Sequence, residues 1–209
     1  MARFLKKKTD SLGKSPGDLI FVGDKKMDEP SIKMIDFDTD QLQEQEIQKI
    51  EECLSCKDND TVSWININGL HDLDLIRQVG EGFNLHTLTL EDILNTGQRP
   101  KMEDYDDYLF FALKMMSYDE KKGIVNSEHL SIIMGGCFLL TFQERPGDVF
   151  DPVRERIRKQ KGRVRKSGID YLAYSLMDTI IDNYIHIIER LGEQIEDIEV
   201  EILDNPGKS

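Results

Sequence analysis

At 209 residues, with 39% apolar and 32% charged side chains, the chain can bury a full hydrophobic core and has the composition of a soluble globular protein. Its net charge of -13 excludes a general nucleic-acid binder, which needs a basic surface for phosphate, and suits a protein that attracts cations, although acidic solubility explains the same figure. Three cysteines are too few and too odd in number for a disulfide scaffold and fit a reducing compartment. The longest apolar stretch, Leu130 to Phe142, falls short of the ~20 residues a membrane helix needs, and no apolar run follows the basic start at Met1–Lys8 to make a secretory signal.

In chain order, residues 1–17 read as a flexible basic leader and residues 18–166 as an α/β/α domain. Leu19–Val22 and Ile32–Phe37 read as strands. Asp38-Thr39-Asp40 offers N-cap residues for a helix carrying Leu42, Ile47, Ile50 and Leu54. Thr61–Ile67 alternates as a strand and Gly69 ends it. Short helices are expected at Asp72–Val79 and Thr89–Asn95. Tyr108–Tyr118, Leu130–Met134 and Phe138–Phe142 are strand candidates whose short connections favour antiparallel pairing. The expected fold class is therefore α/β, a layered domain with a mixed β-sheet.

The chain then changes character. Asp151-Pro152 starts a helix that continues over Val153–Lys161. Residues 167–209 read as a long acidic helix, the first half of a truncated helical hairpin, with Asn205-Pro206-Gly207 as its stop. Tyr184, Ile188, Leu191, Ile195, Ile198 and Ile202 step by four and three, a heptad seam that calls for a partner helix. At 1.5 Å per residue the helix is about 55 Å long.

Charge divides sharply along this part of the sequence. Arg154–Lys166 holds eight basic residues and one acidic, whereas Asp170–Asp204 holds ten acidic residues and one basic, Arg190. Helical spacing puts Arg154, Arg158, Lys161 and Arg165 on one side, to be solvated or to pair with acidic neighbours. No aromatic platform interleaves them for nucleic acid. Asp178 and Asp182, at i and i+4 in an otherwise apolar stretch, share a face. Carboxylate oxygens are the ligands a hard dication such as Mg²⁺ takes, and an ordinary solvated face is the plainer alternative.

Other motifs fail on spacing. Cys53-Leu54-Ser55-Cys56 has the spacing of a redox or zinc pair, without a second Cys/His pair. Asp36-x-Asp38-x-Asp40 begins like a calcium loop, but Gln41 and Ile47 stand where Gly and Glu are needed. Gly13-Lys14-Ser15 lacks the upstream glycine of a phosphate loop. No nucleophile–base arrangement suggests an enzyme.

A more specific signal runs through Leu88-Thr89-Leu90-Glu91-Asp92-Ile93-Leu94-Asn95, Gln98-Arg99-Pro100-Lys101, Glu103 and Tyr105. It continues in Tyr108-Leu109-Phe110, Leu113-Lys114-Met115, Thr141-Phe142-Gln143-Glu144, Gly147–Arg158 and Asp170-Tyr171-Leu172-x-Tyr174-Ser175-Leu176. These blocks, in this order from about residue 60 onward, resemble the CorA family of magnesium and cobalt channels.

The resemblance implies a mixed β-sheet sandwiched between helical layers and followed by a long acidic helix, as the cytoplasmic domain of a homopentameric, funnel-shaped channel of the cell membrane, attached to the bilayer only through stalk and pore segments that lie outside this sequence. It also implies that divalent ions, Mg²⁺ or Co²⁺, bind between neighbouring domains and hold the pore closed. Carried over by position, Glu91, Asp92 and Asp178 contribute to those sites, facing a stalk aspartate. Asp182 rests on helical spacing alone. The family's Gly-Met-Asn pore signature is absent, so the chain is expected to lack a pore, to bind cations weakly and to be monomeric or weakly oligomeric by itself. The alternatives are a zinc transporter of the same superfamily, and a soluble acidic scaffold whose seam docks a partner helix.

Overall fold

The computed structural model describes residues 18–57 and 59–204. The basic leader, the Gly13-Lys14-Ser15 sequence and the stop at Asn205-Pro206-Gly207 lie outside them. Seven strands form one mixed sheet: β1 (Ser31–Phe37), β2 (Leu42–Ile47), β3 (Val62–Asn68), β4 (Lys101–Tyr105), β5 (Tyr108–Asp119), β6 (Ile124–Met134) and β7 (Phe138–Gln143). Their order is β2-β1-β3-β7-β6-β5-β4. Every neighbouring pair is antiparallel except β3 and β7, which run parallel with Asn66 opposite Thr141 and Asn68 opposite Gln143.

Strand alternation sends side chains to two separate cores. On one face Ile65, Ile67, Phe110, Ile133, Leu140 and Phe142 pack against α1 (Leu73–Gly82), α2 (Thr87–Leu94) and a 3-10 helix over Ile50–Lys57. On the other, Trp64, Leu130, Ile132 and Leu139 pack against α3 (Asp151–Arg158) and the first half of α4 (Ile169–Asp204). A mixed sheet between helical layers, followed by a long acidic helix, is the expected fold class.

Two expected elements are different. The segment after Asp38 is not a helix but the second arm of a β-hairpin. The Asp38 carboxylate accepts from the backbone N–H of Asp40 and of Gln41, both at 2.7 Å, closing the turn between Phe37 and its partner Leu42. Pairing with β1 then overrides the helix-forming Gln and Glu residues of β2. Leu42 and Ile47 fall on opposite faces of that strand, one in each core. The expected strand at Leu19–Val22 is reduced to a single bridge between Val22 and Asn95. Conversely, β4 is an edge strand that its charged sequence, Lys-Met-Glu-Asp-Tyr, conceals.

Gly69 ends β3 at φ +96°, a left-handed conformation, and an added Cβ would sit 3.0 Å from Pro30 Cα. Glycine avoids both penalties and lets the chain turn into α1. Asp72 caps that helix, accepting from the Leu75 N–H at 3.0 Å.

The basic stretch is absorbed structurally. Arg158 grips Glu44 of the hairpin through Nε and Nη2 at 2.7 and 2.8 Å. Arg165 donates to the carbonyls of Asp38 and Gln41. α3 ends at Arg158 rather than at the expected Lys161, and Gln160 and Gly162 turn the chain at φ +53° and +71°. This turn, and not a continuous helical spacing, brings both arginines to the β1–β2 hairpin.

Candidate functional site: two acidic patches on opposite faces of the sheet

The α2 patch is a paired network. Asp92 accepts from Gln98 Nε2 at 2.7 Å on one oxygen and from Lys101 Nζ at 2.5 Å on the other. Lys101 also donates to Glu103 at 2.7 Å, and Tyr105 donates to the other oxygen of Glu103. Burial alone would depress the Lys101 ammonium, but its bonds to Asp92 and Glu103 outweigh that and hold it above its ordinary value. Hydrogen bonding from Lys101 in turn lowers the Glu103 carboxyl. Glu91 precedes Asp92 on α2 and is partly exposed.

The α4 patch is built differently. Leu172, Leu176, Ile180 and Ile187 form the buried stripe of the helix. Beyond them Asn183 donates to the Met116 carbonyl and Tyr184 to the Lys114 carbonyl, locking α4 onto β5. On the opposite side lie Tyr174, Ile181 and Ile185, exposed by 57, 55 and 50%. Asp178 is half-buried and Asp182 exposed. The spacing 174, 178, 181, 185 places the Asp178 carboxylate inside an outward-facing apolar stripe.

Asp178 and Asp182 therefore share one side of α4, as i,i+4 spacing requires. Glu91 and Asp92 belong to the α2 layer, which packs on the opposite face of the sheet. Among the described residues, no group of three or more His, Cys, Asp or Glu side chains is placed to hold a metal ion. Each patch offers carboxylate oxygens only, a donor set that suits a hard dication. The thiols are elsewhere: Cys53 and Cys56 are buried in the first core, where desolvation pushes them up to about 11 and about 12.

Sequence reasoning missed the partners of Asp92. Lys101 and Glu103 stand at alternate positions of β4, a signal that becomes readable only once β4 is recognised as a strand. It also missed the outer stripe, because the seam through Tyr184 and Ile202 dominated the helical pattern.

Among the described residues no helix is long and apolar enough to cross a membrane. Residues 59–209 match the family described as CorA-like Mg²⁺ transporter protein. The chain is 42% identical over 196 residues to the cobalt/magnesium transport protein CorA of Thermotoga maritima, an alignment covering 94% of this chain and 56% of that protein. This chain therefore spans little more than half the length of that relative. The soluble domain of CorA from Methanocaldococcus jannaschii superposes with a TM-score of 0.60 at 17% identity, covering 84% of this chain and 66% of that one. The full-length CmaX protein superposes with a TM-score of 0.68 at 14% identity, covering 88% and 55%. Both structural likenesses concern the fold.

Proposed function

Since this chain belongs to the CorA family of Mg²⁺ transporter proteins, we propose that it is the cation-sensing part of a divalent-cation channel, on the cytoplasmic side of the membrane. Residues 18–166 form the body of the sensor and residues 167–209 the first arm of a helical hairpin. The observation that carries the reading is Asp178, a carboxylate set in the exposed apolar stripe of Tyr174, Ile181 and Ile185. An apolar stripe on the outside of a helix calls for a packing partner, and a carboxylate within it calls for a cation when the partner also brings acids. That partner belongs to the part of the full protein outside this chain, or to a neighbouring subunit of a pentamer.

The physics of sensing follows. Carboxylates brought together by assembly repel one another, and Mg²⁺ between them stabilises the closed, symmetric arrangement. Asp178 supplies the central charge of this chain's wall, and Asp182 a second charge one turn on. Glu91 and Asp92 supply the other wall, presented by a different subunit because the sheet separates the two layers. Asp92 acts there through Lys101, whose ammonium a dication would compete with for the carboxylate.

The test is thermal stabilisation by Mg²⁺, since a ligand that binds only the folded assembly raises its stability by mass action. The full-length protein should gain melting temperature in millimolar Mg²⁺ and lose most of that gain on Asp178→Asn. The isolated chain should respond weakly and remain monomeric. Stabilisation of the isolated chain equal to that of the full-length protein would refute this arrangement.

A further inference from the structure

The two acidic patches leave unexplained a cleft of about 500 Å³ on the α3 side of the sheet. Its floor is β3. Trp64, Asn66 and Asn68 point to one face, and where the alternate positions Ile65 and Ile67 feed the opposite core, this face ends in two amides. Its walls are the β1–β2 hairpin and the loop leading into α3. Asn68 and Gln143 are the last residues of β3 and β7, the sheet's parallel pair. The carboxyl ends of parallel strands are where open α/β sheets place ligands.

The floor has unused hydrogen-bonding capacity. Asn66 Oδ1 accepts from Thr141 Oγ1 and Gln143 Nε2 at 2.8 and 2.9 Å, which directs the Nδ2 donor away from β7. Asn68 is 2% exposed; its Nδ2 donates to Ser31 Oγ, and its Oδ1 has no partner among the described residues. Gln143 Oε1, directly across the parallel register, is likewise without one. A buried amide oxygen left unbonded is costly, so its retention on a central strand points to a partner supplied from outside.

The charges on the walls decide what kind of partner. Arg154 is already bidentate on Asp148, at 2.6 Å through each terminal nitrogen, and Arg158 is bidentate on Glu44. Lys33 stands 3.6 Å from Glu46. Each cation therefore faces its own carboxylate, and an anion would have to displace one. Arg154 also meets Asp151 at 3.0 Å, so the walls hold no unpaired cation for an anion. The donor and acceptor amides of the floor suit an uncharged molecule whose hydroxyl groups both give and accept hydrogen bonds. We propose that this cleft is a binding site for a small neutral polyhydroxylated molecule of the sugar or polyol class, held by Asn66 and Asn68 and separate from the cation sites.

Trp64 is the chain's one tryptophan and lines the cleft, so its fluorescence reports occupancy. The experiment titrates the chain with ribose, glucose and myo-inositol to tens of millimolar, with ribose 5-phosphate as the anionic comparator. At least one neutral compound should give a saturable change. Ribose 5-phosphate should bind no tighter than ribose, and Asn68→Val should weaken the response at least tenfold. In the unaltered chain the side-chain amide NMR signals of Asn66 and Asn68 should shift along the same titration, a reading independent of whether the variant folds. No saturable change with any neutral compound, unmoved amide signals, or a clear preference for the phosphate would overturn the proposal. A higher melting temperature for Asn68→Val without loss of any sugar response would do so as well, since the amide would then hold only water.

Discussion

Arg154 clasps Asp148 through two hydrogen bonds of 2.6 Å, with the carboxylate side chain only 5% exposed. The same guanidinium lies 4.8 Å from the centre of the Trp64 ring. Asp148 further accepts from Gln143 Nε2 and from the backbone N–H of Phe150, so one carboxylate connects β7, the following loop and α3.

Removing the arginine strands that carboxylate. Arg154→Ala should destabilise the chain by about 3–5 kcal/mol, the range for breaking a buried pair from one side. Burial would raise the Asp148 carboxyl, but Arg154 and the other donors hold it below its ordinary 3.8. A depressed carboxyl contributes stability that is present above pH 3.8 and is lost as the pH falls through its folded-state value. Arg154→Ala should reduce that acid-sensitive part, and urea unfolding at several pH values measures both effects.

Arg158 provides the contrast. It also makes a bidentate pair, with Glu44, but both side chains are more than a third exposed. Solvent screens such pairs, and Arg158→Ala should cost no more than about 1 kcal/mol in the same unfolding assay.

His129 should dominate the response just below neutrality. It is fully buried in β6, its Nε2 lies 2.9 Å from Ser131 Oγ, its backbone N–H donates to Glu144, and Lys114 stands opposite it on β5. Desolvation, aided by the Lys114 charge, lowers its pKa from 6.5 to about 3. The folded state therefore stays unprotonated while the unfolded chain takes up a proton below pH 6.5, so stability falls as the pH drops from 6.5 towards 3. The slope for one proton is about 1.4 kcal/mol per pH unit. His129→Gln should flatten the stability profile between pH 6.5 and 5, above the range in which carboxylates titrate.

The far half of α4 should tolerate charge. Ile195 is 59% exposed, and its seam neighbours Ile188, Ile198 and Ile202 are similarly open. Ile195→Lys should leave the melting temperature of this chain nearly unchanged, within the roughly ±0.5 kcal/mol typical of surface changes. On the proposed reading, in which a partner helix covers the seam in the full-length protein, the same change should be destabilising there. Calorimetry on both proteins makes the comparison.

Much of the architecture was legible beforehand, for a reason that varies by element. β5, β7 and the apolar end of β6 at Leu130–Met134 are punctuated by Asp119–Gly123 and Gly135-Gly136, so period and turn chemistry agree there. β6 itself begins at Ile124, in a polar stretch that only its pairing with β5 makes a strand. α4 repeats its apolar residues over ten turns, which no local competitor can imitate. β2 and β4 could not be read in this way. Both are charged edge strands, recruited by the backbone groups of β1 and β5 rather than by their own side chains.

The candidate carboxylates divide along the same line. Asp178 and Asp182 share a face because helical geometry allows nothing else, and Glu91 and Asp92 are neighbours in one turn of α2. Their linear order carries no information about the sheet between the two pairs. Nor does it reveal that Asp92 is held by Lys101 and Gln98, or that Arg154 would find Asp148 and Trp64. The sequence by itself determined the long acidic helix and the chemistry of its candidate ligands, because those rest on local periodicity and residue type, and it carried the family and its layered fold through the resemblance of its ordered blocks. Only the tertiary structure decided which charges are spent on one another and which amides face a cleft, because long-range strand pairing brings together residues that no spacing rule connects.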